Sequence, residues 1–190
     1  LDTLIIIFNK IENSFLKENI LRDSDISLKD CAKNCKIPLT HFFFLIKYHI
    51  KLSFTEFKNQ SRIVDSTNLI QSLVAIKSQG EGNQEAMKAW PLVSNFPPSA
   101  IPPLLDAMNR ANNLGDNWIR AAIEKICEQN ATQLPIEKII VFLQDYSNEG
   151  DAREMAFQIL QSEQPSKANQ LIPTFINDPA PVLRQKAVEL

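Results

Sequence analysis

An alanine returns along the chain at Ala89, Ala122, Ala156 and Ala187, at spacings of 33, 34 and 31 residues. It sits in "EAMKAWPLV", "WIRAAIEKI", "AREMAFQIL" and "VLRQKAVEL", and an apolar residue follows four places later at Val93, Ile126 and Leu160. Between these copies run "AIPPLLDAM", "QLPIEKIIVFL" and "QLIPTFIND", each with a proline near the start of an apolar helical pattern. A period of this length made of two helical patterns constrains the fold severely. Each helix pair has one apolar face that it cannot bury alone, so successive pairs must stack on one another. Arg153 and Arg184 precede their alanines by three, whereas Ile119 holds that place in the second copy. The chain starts at Leu1 and stops inside the fourth copy, so it is expected to be a piece of a longer protein.

The composition breaks where the repeat begins. Residues 1–70 hold one alanine (Ala32), one proline (Pro38), eleven isoleucines and seven phenylalanines; residues 71–190 hold fourteen alanines and ten prolines. Charge divides in the same way. The first part carries ten Lys/Arg against eight Asp/Glu, and the second carries ten against fourteen. Two modules of different origin are expected, residues 1–73 and 84–190. The polar "SQGEGNQ" (78–84) punctuates the boundary region between Asn68 and Asn83.

Residues 1–73 read as short helices. "LDTLIIIFNKIENSFLKEN" has helical apolar spacing at Leu4, Ile7, Phe8, Ile11 and Phe15. In "DISLKDCAKNCKI", Asp25 or Ser27 supplies a cap, and Leu28, Cys31, Ala32 and Cys35 share one face. Pro38 stands where the next helix can begin, and that helix runs through "THFFFLIKYHI" to about Ile50. A last helix is predicted over roughly Phe54 to Leu73, with Ser53 and Glu56 as a capping box. Short helices joined by a tight turn and packed on flanking helices describe a helix-turn-helix.

"ISLKDCAKNCKIPLTHFFFLIKYHIKLSFTEFKNQSRI" resembles the first helix-turn-helix of AraC-type transcription regulators. Leu28, Cys31, Ala32, Ile37, Phe42, Ile46, Lys47, Phe54, Phe57, Arg62 and Ile63 fall in register without a gap. The resemblance implies that Phe42 and Ile46 point into the core, and that Thr40, Phe43, Phe44, Lys47 and Lys51 lie on the surface that meets DNA. It also implies a second helix-turn-helix unit, and nothing after Leu73 resembles one. Lys36 and Pro38 replace the glycine and serine of the inner turn. Lys51 stands where the family has a turn glycine, so that turn must carry a side chain, with positive φ as one conformation open to it. Phenylalanine offers no hydrogen bond to a base edge, so Phe43 and Phe44 fit a protein-contact patch better than a reading surface.

The repeats resemble HEAT-like units across residues 84–190, which implies an α-solenoid. "SAIPPLLDAMNRANNLGDNWIRAAIE" is similar to helical repeats of large bacterial multidomain proteins that also carry haem or dehydrogenase domains. No Cys-x-x-Cys-His attachment motif accompanies it here.

Cys31 and Cys35 with His41 and His49 imitate a zinc arrangement, but the spacing matches no common finger and both cysteines fall on core positions. With only two histidines and no nucleophile elbow, a histidine-based triad is not expected. Four glycines leave no phosphate loop. Cys127 falls on the stripe of Ile119, Ile123 and Ile126 and is expected to be buried; Trp90 and Trp118 read as packing residues, and Glu149 and Asp151 as loop and cap residues.

The sequence thus predicts an all-α, non-enzymatic protein with no catalytic residue, metal or cofactor. Three cysteines fit a reducing, cytoplasmic setting, and no apolar run is long enough to span a membrane. Two functions follow. One is a DNA-binding transcription-regulator fragment contacting double-stranded DNA through residues 36–62, where five basic residues face one acidic residue. The other is a protein-interaction scaffold that uses the repeat surface or Phe43 and Phe44.

Overall fold

The computed structural model describes residues 26–51, 53–77 and 79–189. The amphipathic pattern at Leu4 to Phe15 lies outside these residues. All regular structure among the described residues is helical, and the fold is all-α. The chain divides between Thr67 and Asn68 into two compact units.

In the first unit, α1 spans Leu28–Asn34 and α2 spans Leu39–Phe44. The backbone then continues as a π-helical turn over Leu45–Ile50, and α3 spans Phe54–Val74. Ser27 caps α1 through Asp30 N–H, and Ser53 and Glu56 form a reciprocal box at the start of α3. Helix α1 ends in a Schellman motif: Ile37 N–H reaches the Ala32 carbonyl and Lys36 N–H the Lys33 carbonyl. That geometry places Lys36 in the left-handed region at φ 55°, and Lys51 closes the π-helical turn at φ 59°. The core gathers Ile26, Cys31, Ala32, Cys35, Ile37, Phe42, Leu45, Ile46 and Phe57. Phe42 is fully buried and meets Phe57 edge-on, with centroids 6.4 Å apart. Ala32 is buried on α1, which packs against α2.

The second unit contains the end of α3 and seven further helices: α4 (Asn83–Val93), α5 (Ile101–Met108), α6 (Asn113–Asn130), α7 (Ile136–Gln144), α8 (Gly150–Glu163), α9 (Pro165–Leu171) and α10 (Pro181–Val188). Helix α4 packs on α6, α5 on α6, and α7 on α8; α5 also packs on α7 and α8, and α8 on α9 and α10. The recurring Ala89, Ala122 and Ala156 are buried, as are Val93, Ile126 and Leu160. Small residues at these points let the helices approach. The large neighbours Leu104, Leu105, Ile119 and Ile123 are fully buried, each contributing about 1.5–3 kcal/mol relative to exposure.

The third interval departs from a plain helix. After α9, Ile172–Asn177 forms a 3-10 turn. Pro173 lacks the N–H for an i→i−4 bond and its ring crowds the preceding turn, so the segment tightens. Beyond it lies an ionic knot. Arg153 on α8 donates to both Asp178 oxygens at 2.7 and 2.6 Å and to the Leu143 carbonyl at 2.7 Å. Arg184 donates to the Asp178 and Pro179 carbonyls. Burial disfavours the Asp178 charge, but Arg153, the Ala180 N–H and Arg184 together hold its carboxyl below the usual carboxylate range.

Candidate functional site

Helix α2 starts after Pro38, which fixes the incoming backbone at φ −55° and lacks a donor of its own. One stripe of the helix is claimed by the core through Phe42, Leu45 and Ile46. What remains must face water. Thr40, Phe43, Phe44, Lys47 and Lys51 are all exposed, as are Leu39 and Tyr48. The five residues implied to meet DNA are thus exposed to solvent. Leu39 and Tyr48 were not singled out from sequence, although Tyr48 is four residues beyond Phe44 and so shares its face.

The exposed aromatics are organised. Phe44 and Tyr48 pack with centroids 4.4 Å apart and planes tilted by 34°. The Lys47 ammonium sits 5.4 Å from the Phe43 centroid and 5.5 Å from that of Tyr48, within cation–π range of both rings. The π-helical backbone belongs to the same stretch, a departure from α geometry that recurs at functional positions. No carboxylate occurs from residue 31 to residue 55, while Lys33, Lys36, Lys47 and Lys51 do.

The inner face carries two buried cysteines, Cys31 and Cys35. Burial, with Cys35 beside it, pushes the Cys31 thiol up to about 11, so it stays protonated at neutral pH. His41 is exposed, and the side chain of His49 lies outside the described residues. Among the described residues, no group of three or more His, Cys, Asp or Glu is placed to hold a metal ion.

In the second unit, a groove of about 440 Å³ runs between α6 and α8, lined by Cys127, Met155 and Ile159 and by Glu124, Glu128 and Glu163. Cys127 is thus half-buried rather than fully enclosed. Its place on the α6 stripe turns it toward the gap between helices, beyond the packed interior of Ile119, Ile123 and Ile126. Burial, then Glu163 and Glu124, push its thiol up to about 11. Trp90 and Trp118 meet edge-on at 6.5 Å, joining α4 to α6. Glu149 receives no cap bond from its side chain; its backbone N–H donates to Asn109 Oδ1.

No protein-family profile matches the chain, and neither a curated protein nor a solved structure matches it. No helix among the described residues is long and apolar enough to cross a membrane.

Proposed function

We propose that the chain is a non-enzymatic interaction protein, a helix-turn-helix of AraC type whose outer face contacts protein, joined to a HEAT-like helical-repeat module. One observation carries this reading: Phe43, Phe44 and Tyr48 stand outward together on α2 and its π-helical continuation, with Lys47 bridging two of the rings. An apolar cluster organised in water gains by association, and aromatic side chains dominate the energetics of protein contacts. Replacing Phe43 and Phe44 together by Ser tests it. Self-association and partner capture are expected to fall in the double variant, and unchanged values of both would sink the reading.

A second reading, sequence-specific binding of double-stranded DNA through residues 36–62, draws support from the backbone. Lys36 and Lys51 adopt positive φ at the two turn positions where the AraC-type pattern carries glycine. Under that reading, affinity for random duplex falls steeply and linearly with the logarithm of salt concentration. Binding that ignores salt, or no binding, removes it.

A further inference from the structure

We infer that the Leu39–Tyr48 face docks an acidic protein segment that also carries apolar side chains. The inference rests on the protein-contact reading and names the partner's chemistry.

The charge pattern is one-sided. Lys33, Lys36, Lys47 and Lys51 occur between residues 31 and 55 without a single carboxylate. Lys36 and Lys51 lie just before and just after the helical run from Leu39 to Ile50, both held in left-handed turns. Lys47 lies within that run, its ammonium against two rings. The apolar component is substantial: Leu39, Phe43, Phe44 and Tyr48 are 43%, 45%, 56% and 52% exposed. A carboxylate arriving at Lys47 meets a cation at the margin of an apolar surface, where closing out water strengthens the pair. The run from Leu39 to Ile50 is twelve residues and spans roughly 15–18 Å, enough to lie along a partner segment of about three helical turns.

A strand of nucleic acid would satisfy the lysines equally well, but the rings favour protein. Base stacking needs open aromatic faces. Here Phe44 and Tyr48 cover one face of each other, and Lys47 stands over Phe43 and Tyr48. The patch offers bases fewer open ring faces than its three exposed rings suggest, and with the Leu39 side chain it forms an apolar surface suited to aliphatic and aromatic protein groups.

The test is fluorescence anisotropy of the whole chain against four probes. The first is an amphipathic peptide with glutamates on one face and leucine and phenylalanine on the other. The second has Gln for every Glu, the third has Lys for every Glu, and the fourth is single-stranded oligothymidylate. The Glu peptide is expected to bind roughly tenfold or more tightly than the Gln peptide at low salt, and Phe43→Ser with Phe44→Ser to weaken it by a similar factor. Lys47→Glu is expected to weaken the Glu peptide and improve the Lys peptide. Far-UV circular dichroism verifies that the variants keep their helix content. If the Glu and Gln peptides bind alike, or neither binds, while the Phe43/Phe44 variant still loses self-association or partner capture, the acidic partner is overturned and the contact face stands. Tighter binding of oligothymidylate than of the Glu peptide overturns both. No effect of any substitution on any readout also overturns both.

Discussion

Arg153 and Asp178, 25 residues apart, form a two-pronged ion pair that water does not reach: their side chains are 1% and 0% exposed. The pair ties α8 to the loop before α10, and Arg153 also reaches back to the end of α7. Removing one partner strands a buried charge. Asp178→Ala is expected to cost about 3–5 kcal/mol in urea unfolding, while replacing both residues by apolar ones of similar volume costs much less than the sum of the single changes.

The same pair sets a pH dependence. Asp178 has a folded-state pKa below its unfolded value. Its contribution to stability is therefore present above the unfolded carboxylate range and is lost as pH falls through the folded value. Unfolding free energy measured from neutral to acidic pH should show a shallower acid limb in Asp178→Asn than in the wild type, once that variant's lower starting stability is subtracted.

Gly115 sits in the first turn of α6, and a Cβ there would come within 2.7 Å of the Leu73 carbonyl oxygen. In a free helix, Gly→Ala gains about 1 kcal/mol. Here the contact with fixed backbone reverses the sign, and Gly115→Ala is expected to lose on the order of 1–3 kcal/mol. A thermal melt that rises would show that α6 shifts without cost.

Lys36 holds a left-handed conformation that a side chain disfavours. Lys36→Gly is expected to stabilise the first unit by on the order of 0.5–1 kcal/mol, the relief of strain exceeding the extra backbone entropy of glycine. Lys36→Val should destabilise it. Equal melting points for the two variants would contradict the observed backbone.

Much of this was legible before the structure. The apolar pairs Phe42 with Ile46 and Ala122 with Ile126 have helical spacing, and all four are buried. The cap Ser53 was readable, and Ser27 was one of two candidates with Asp25, because a side-chain oxygen must meet the orphan N–H groups of a helix start. Two features were not legible. The role of Asp178 was hidden because an Asn-Asp-Pro run reads as a surface turn, and only folding brings Arg153 to it. The π-helical turn was hidden because "LIKYHI" has no proline or glycine to announce it. The outer patch was half legible: Phe43 and Phe44 followed from the register of Phe42, and the spacing of Tyr48 four beyond Phe44 was a signal that could have found it, whereas the bridging position of Lys47 depends on backbone geometry after Phe44.

The measurement closest to the central claim is photo-crosslinking from the patch itself, with Phe44 replaced by benzoylphenylalanine in the whole chain. Phe44 is 56% exposed and points away from the core, so the probe reports what covers that face. The account predicts adducts that proteases degrade and nucleases leave intact, lost when Phe43→Ser is added. Adducts that nucleases destroy would contradict it, and so would their complete absence.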